Sequence, residues 1–148
     1  MNKAINTEKA PKAIGPYSQV IEAGGMVFAS GQLPIDPATG EFAVGGVKEQ
    51  TRQSLTNAKH ILEEAGTDLA HVVKTTVFLS DMADFAAMNE VYSEFFSQPF
   101  PARSAVAGKS IHKKTRLLWL PNKASLHRKQ VLFGSQRSLV CKPAKTAF

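Results

Sequence analysis

Arg103 lies two residues after Pro101, in the run Phe-Pro-Ala-Arg-Ser-Ala-Val that occupies residues 100–106. A guanidinium carries a planar fork of N–H groups that can donate two parallel hydrogen bonds to one carboxylate. Pro101 restricts the backbone just before Arg103 and helps to fix the position of the Arg103 Cα atom. This spacing predicts a binding site for a small organic acid. The alternative is a surface arginine that forms a salt bridge with an acidic side chain.

The charge distribution changes sharply near residue 108. Residues 1–108 contain eight Lys and Arg and all twelve Asp and Glu, a net charge of −4, whereas residues 109–148 contain ten Lys and Arg and no acidic residue. The formal charge of +6 for the whole chain therefore comes from its C-terminal part. Basic surfaces are typical of proteins that bind nucleic acid or anionic membranes, and only residues 109–148 have this character.

Length and cysteine content limit the class of protein. A chain of 148 residues, 43% of them hydrophobic, can bury one core but is too short for a second independent domain. Cys141 is the only cysteine, so no internal disulfide can form and a cytoplasmic location is expected. No apolar stretch approaches the roughly 18 residues of a membrane span. No metal site is predicted, because none of the histidines has ligand spacing with cysteines or acids: His60, His71, His112 and His127.

Hydrophobic periodicity predicts the order strand, strand, helix, strand, helix, strand. The predicted elements are strands at 18–23 and 26–32 around Gly24 and Gly25, a helix at 47–65 capped by Gly66, a strand at 72–79, a helix capped by Asp81 or Asp84, and a strand beginning near Ala102. This order indicates an α+β fold in which both helices cover one face of a mixed sheet. The other sheet face would pack in a symmetric oligomer.

Apolar side chains in the second predicted helix recur every three or four residues. They are Phe85, Met88, Tyr92, Phe95 and Phe96. Such spacing places the side chains on one face of a helix, and we interpret that face as core rather than as a cofactor site.

Three short segments and the second helix together carry a family resemblance. The segments are residues 13–19 (Ala-Ile-Gly-Pro-Tyr-Ser-Gln), 29–34 (Ala-Ser-Gly-Gln-Leu-Pro) and 100–104 (Phe-Pro-Ala-Arg-Ser), and the helix adds Asp81, Phe85, Asn89, Tyr92, Phe95 and Phe96. From Lys3 to about Ile111 the chain closely resembles the RidA (YjgF-type) family of enamine/imine deaminases. The resemblance implies a small chorismate-mutase-like α+β sandwich, assembled as a homotrimer with sites in the clefts between subunits.

The resemblance also implies an activity and its residues. Family members hydrolyse reactive 2-imino or 2-enamino acids, such as 2-iminobutanoate and 2-iminopropanoate, to 2-oxo acids and ammonia without a metal or cofactor. Arg103 would bind the substrate carboxylate, while Tyr17 and Ser30 would hydrogen-bond the substrate or a water, or else satisfy backbone groups. Gly31 would let the backbone approach the ligand or relieve a bulge. Asn89 would lie near the cleft or serve as a structural hydrogen-bonding group.

The resemblance ends close to residue 111. The family places a proton-transferring glutamate in its last strand, fifteen residues after the arginine, where this chain has Leu118. No acidic residue follows Glu94, and His112 stands where the family has a proline. We therefore divide the chain into a RidA-like domain, residues 1–111, and an atypical basic tail, residues 112–148, that replaces the family's last strand.

Two origins of the basic tail are open. A shifted reading frame would produce an unrelated sequence from this point, whereas a genuine extension would bind nucleic acid or an acidic partner. Because the glutamate is missing, deamination is expected to be impaired. The alternative function is that of a non-catalytic ligand-binding or RNA-interacting protein of the same fold.

Overall fold

The computed structural model describes residues 1–108 and two short strand segments, 118–119 and 130–132. The elements are β1 (Lys3–Ile5), β2 (Val20–Ala23), β3 (Met26–Ala29), α1 (Val47–Glu64), β4 (Lys74–Leu79), α2 (Phe85–Phe95), β5 (Ala102–Ala107), β6 (Leu118–Trp119) and β7 (Gln130–Leu132). The predicted order is confirmed from β2 to β5. The prediction missed β1, because three residues are too few to show a periodic pattern. Apart from β6 and β7, the basic tail lies outside the described residues.

The strands form two sheets within the part of the chain that the structure describes. One has the order β1-β2-β3-β7 and the other β5-β4-β6, where β4 and β5 run parallel. In the first sheet β2 and β3 form the predicted hairpin, since Gly24 and Gly25 have φ angles of +56° and +72°. Positive φ at both positions is what a two-residue hairpin turn requires. The sequence predicts one mixed sheet, whereas the described strands form two. No described strand pairs with both β3 and β4, because β7 pairs with β3 and β6 pairs with β4.

Local capping defines both ends of α1. At its start the Glu49 carboxylate accepts a hydrogen bond from the backbone N–H of Gly46 at 2.8 Å, which satisfies one of the free donors of the first turn. At its end Gly66 has a φ of +73°, as predicted for a C-terminal glycine. In the described residues no helix combines the length and the apolar character needed to cross a membrane.

The core lies between the helices and one face of the strands. Every second residue of β4, beginning with Thr75, is buried on this face. Val27 and Ala29 of β3 are buried with them, and the apolar side of α1 completes the cluster through Leu55, Ala58, Ile61 and Leu62. Met88, Tyr92 and Phe96 of the second helical segment are also buried, which confirms the prediction of an apolar helix face.

The opposite face of the strands is less covered. Ile21 and Phe28 lie opposite each other on β2 and β3 and are half-buried. On β5 the side chain of Val106 is 44% exposed. The chain therefore carries apolar side chains on both faces of its strands, and the helices cover only one.

A buried amide joins α1 to the loop after β3. Asn57 is 0% exposed, and its Nδ2 donates to the carbonyls of Leu33 and Ile35 at 3.0 and 2.8 Å. Its Oδ1 accepts from the Gln53 side chain at 2.9 Å. All polar atoms of this side chain are thus hydrogen-bonded, which buried amides require. The loop that Asn57 holds begins directly after Ser30 and Gly31.

We expect Asn57→Ala to lower the free energy of unfolding by about 1 to 3 kcal/mol, because two partly buried carbonyls lose their donor. Urea unfolding followed by circular dichroism measures this change. Asn2→Ala at an exposed position is the control and should change stability by less than about 0.5 kcal/mol. Equal stability of the two variants would show that the loop does not depend on Asn57.

Candidate functional site

The pairing of β4 and β5 determines where Arg103 lies. In this parallel register Arg103 is opposite Thr75. Residues that face each other across neighbouring strands point to the same side of the sheet. Because Thr75 is buried on the side covered by α2, the half-buried side chain of Arg103 lies beneath the same helix.

Three side chains of α2 surround the guanidinium. Phe85, Asn89 and Tyr92 are spaced by four and three residues, so they lie on one helix face. Asn89 Oδ1 accepts a hydrogen bond from Arg103 Nη1 at 2.7 Å. The Arg103 Cζ atom is 5.4 Å from the centre of the Phe85 ring and 4.6 Å from that of Tyr92. We call these four residues the arginine cradle.

The arginine cradle holds a positive charge without an acidic counterpart. In residues 1–108 no carboxylate lies within 4.0 Å of the Arg103 nitrogens, and the single hydrogen bond of the guanidinium within this range is the one to Asn89. The aromatic faces attract the cation but do not accept its N–H bonds. With no hydrogen-bond partner in this part of the chain, Nε and Nη2 form a planar fork, the arrangement that binds a carboxylate through two parallel bonds.

Tyr92 is held from two sides by other groups. Its hydroxyl forms a buried hydrogen bond of 2.8 Å with the hydroxyl of Thr75. Its ring stacks on Phe96 with a centre-to-centre distance of 4.4 Å. Burial raises the pKa of Tyr92, although the bond to Thr75 and the charge of Arg103 act in the opposite direction. The phenol is therefore neutral at physiological pH.

A second group of predicted site residues lies around the loop before β2. Tyr17 and Gly31 line the same small pocket, and Tyr17 is 52% exposed. The Tyr17 hydroxyl accepts a bond from the Ile14 N–H at 3.3 Å, which leaves its own proton available for donation. Ser30 Oγ donates to the Ser18 carbonyl at 2.6 Å, so its lone pairs can still accept a hydrogen bond. We call Tyr17, Ser30 and Gly31 the loop group.

The side chain of Gln19 organises the segment that leads to the loop group. Gln19 is 3% exposed, and its Oε1 accepts from the Thr7 N–H at 2.7 Å. Its Nε2 donates to the carbonyls of Thr7, Ala10 and Pro11 at 3.1, 3.3 and 2.8 Å. The partners of the Gln19 side chain lie in residues 7–11, before Tyr17, and Gln19 itself follows Tyr17 by two residues. One buried amide therefore joins the segments on either side of Tyr17.

The structure brings the predicted residues together in two separate groups. Arg103 and Asn89 are hydrogen-bonded, and Tyr17, Ser30 and Gly31 form the loop group. Within residues 1–108 of one chain no hydrogen bond, ion pair or cation–π contact joins the two groups.

Four other residues that shape these groups are not among the predicted site residues. The sequence predicts Phe85 and Tyr92 as core residues of a family-like helix and not as site residues; their helical spacing relative to Asn89 is the available signal. Thr75 depends on the β4–β5 register, which local patterns do not reveal. Gln19 lies within the family-like segment 13–19, and no single-residue pattern distinguishes its structural role.

Two further features bear on the chemistry of the site: metal ligands and position 118. Within the described ranges, no group of three or more His, Cys, Asp or Glu residues is arranged to hold a metal ion. Leu118, where the family resemblance implies a glutamate, lies in β6, and its backbone pairs with Val77 of β4. The backbone at position 118 is thus two residues along β4 from Thr75.

Comparison with known proteins places the chain among relatives of similar length. A RutC family protein of Pyrococcus abyssi is 60% identical over 104 residues, which cover 70% of this chain and 82% of that protein. A 2-iminobutanoate/2-iminopropanoate deaminase of Bos taurus is 46% identical over 117 residues, covering 79% of this chain and 85% of the relative. The crystal structure of a Thermotoga maritima protein described as a putative endoribonuclease matches with a TM-score of 0.78 and 46% identity, covering 84% of this chain and 100% of that one.

A family model described as Endoribonuclease L-PSP matches residues 7–117. This range contains both the arginine cradle and the loop group, and it ends one residue before Leu118. The match covers most of the chain and agrees with the relatives in sequence and in fold. The α+β fold predicted from the sequence is confirmed by these neighbours, and the chain belongs to the RidA (YjgF-type) family.

Proposed function

We propose that the chain hydrolyses reactive 2-imino and 2-enamino acids to 2-oxo acids and ammonia. The observation that carries this proposal is Arg103, a half-buried cation whose free fork has no carboxylate partner in residues 1–108. A half-buried cation with unpaired donors favours an anionic ligand. Relatives named 2-iminobutanoate/2-iminopropanoate deaminase support a carboxylate-bearing imine as that ligand.

The proposed reaction adds water across a carbon–nitrogen double bond. Nε and Nη2 of Arg103 bind the substrate carboxylate and thereby place the adjacent imine carbon at the site. Water attacks this carbon, the nitrogen gains protons, and the carbon–nitrogen bond breaks to release ammonia and a 2-oxo acid. The Tyr17 hydroxyl can donate a hydrogen bond to the imine nitrogen, and Ser30 Oγ can accept one from the substrate or the water. An enamine substrate first tautomerises to the imine.

We further propose that complete sites form between subunits of a homotrimer. Two observations support this arrangement. Within residues 1–108 of one chain no hydrogen bond, ion pair or cation–π contact joins the arginine cradle to the loop group, and Tyr17 is half exposed. The strand face opposite the helices also carries apolar side chains, including Val106, that a neighbouring copy would cover.

The full chain should sediment with a mass about three times the 16.0 kDa of one chain. Val106→Asp should shift this mass toward that of the monomer, because a carboxylate would be buried in the contact without a partner. Val44→Asp is the matched control on an exposed loop, and it should leave the mass unchanged. A well-folded monomer of the unsubstituted chain would contradict the trimer.

Arg103→Lys should weaken binding of 2-oxobutanoate, the product of 2-iminobutanoate hydrolysis, by about 10- to 100-fold, because an ammonium cannot form the two-pronged contact. Titration calorimetry gives the Kd, and an amino-acid oxidase that generates the imine allows KM to be measured. Arg52→Lys is the control, since Arg52 is exposed and paired with Glu94. Unchanged Kd and KM in Arg103→Lys would remove Arg103 from the site.

The unsubstituted chain should hydrolyse imines slowly, because a leucine at position 118 can neither accept nor donate a proton. General acid–base catalysis contributes about 10²- to 10⁴-fold. Leu118→Glu should therefore increase kcat within this range, provided that β6 keeps its place. Leu118→Gln is the matched control, with similar size and no acid–base function. Rates equal to those of a deaminase relative in the unsubstituted chain would show that another group activates the water.

The alternative of an RNA-interacting protein stays a prediction. It depends on the ten Lys and Arg of residues 109–148, all of which lie outside the described residues. The family model and the Thermotoga maritima protein are described with the word endoribonuclease, and this description applies to them and not to this chain.

A further inference from the structure

The buried hydrogen bond between Tyr92 and Thr75 has no part in the proposed reaction. The two hydroxyl oxygens are 2.8 Å apart, and Thr75 and Tyr92 are 0% and 5% exposed. Neither hydroxyl faces the substrate in the mechanism above. Buried polar pairs of this kind stabilise one arrangement of the groups that carry them, because either partner alone would be left unsatisfied.

The geometry links this pair directly to Arg103. Thr75 and Arg103 occupy the same rung of the β4–β5 ladder. The Thr75 hydroxyl holds the far end of the Tyr92 ring, Phe96 stacks on the ring at 4.4 Å, and the Arg103 Cζ atom lies 4.6 Å from the ring centre. The strand pair thus supplies both the cation and the hydroxyl that anchors the aromatic ring beside it.

The hydrogen bond to Asn89 does not by itself fix the orientation of the guanidinium plane, and the Tyr92 ring can restrict that orientation. Asn89 holds Nη1 at a single point, around which the guanidinium plane can turn. An aromatic face favours a cation near its centre and therefore restricts this rotation. The Phe85 ring is farther away, at 5.4 Å, so Tyr92 provides the closer of the two aromatic surfaces.

We propose that Thr75 and Tyr92 are positioning residues for Arg103: the bond between their hydroxyls holds the Tyr92 ring against the guanidinium and so keeps Nε and Nη2 turned toward the substrate carboxylate. The orientation of the guanidinium stands on the geometry alone, whereas its consequence for substrate binding rests on the proposed function. Burial supports the same role, because it raises the pKa of Tyr92 and preserves the phenolic proton that the pair shares.

The test compares Tyr92→Phe, Thr75→Val and the double variant in the full chain. Each single variant leaves one buried hydroxyl without its partner, whereas the double variant removes both and should recover most of the lost stability. Thr51→Val is the matched control, since Thr51 is a buried threonine of α1 outside the arginine cradle. Three quantities are measured for every variant: Tm, the NMR signal of the Arg103 Nε–H group assigned with Arg103→Lys, and the Kd for 2-oxobutanoate.

We expect the double variant to keep a Tm near that of the unsubstituted chain. Its Arg103 Nε–H signal should nevertheless move or broaden, and its Kd for 2-oxobutanoate should rise about 3- to 30-fold. A purely structural pair would instead leave the NMR signal and Kd unchanged once Tm is recovered, and this result would overturn the proposal. If the double variant does not fold, Tyr92→Phe decides by the same NMR criterion, because it retains the ring.

The proposed function can fail independently of this inference. If the unsubstituted chain binds no 2-oxobutanoate and Arg103→Lys changes nothing, the deaminase proposal is wrong. The Arg103 Nε–H signal then tests the positioning role by itself: a changed signal in the double variant supports it, and an unchanged signal overturns it.

Discussion

The parallel register between β4 and β5 decides on which side of the sheet the charge of Arg103 lies. A shift by one residue would turn Arg103 to the opposite face and present Ala102 or Ser104 to α2 instead. Parallel neighbours also require a crossover connection, and α2 lies within it. The element that makes the parallel pairing possible therefore also supplies Asn89 and Tyr92. Topology and site chemistry cannot be separated in this part of the molecule.

Short-range patterns in the sequence predict the hairpin and both helices. The glycine pair at 24–25 predicted the hairpin, and the 3.6-residue period with Gly66 predicted α1 to within one residue of its end. The apolar stripe of the second helix correctly predicted burial of Tyr92. What the stripe could not show is that one face of that ring contacts a cation, because the contact depends on a strand that is distant in sequence.

The family resemblance implies which residues belong to the site but not how the chain holds them. Arg103 and Asn89 are in contact as expected for one site, while Tyr17, Ser30 and Gly31 lie in another part of the same chain. The first group depends on strand register. The second depends on two buried amides, Gln19 and Asn57, which both donate to backbone carbonyls. Gln19 also accepts from the Thr7 N–H, and Asn57 from the Gln53 side chain. Backbone partners carry no residue-type signal, so a single sequence gives little indication of such contacts.

The hydrogen bonds of Gln19 also limit how this position can change during evolution. Its amide nitrogen faces three carbonyl oxygens while its oxygen faces one N–H. Glutamate has the same length, but an ionised carboxylate would set negative charge against those three oxygens. Asparagine has the right groups on a side chain one carbon shorter, and lysine lacks an acceptor. Position 19 thus requires a donor and an acceptor at the end of a side chain of this length, and glutamate, asparagine and lysine each fail one of these requirements.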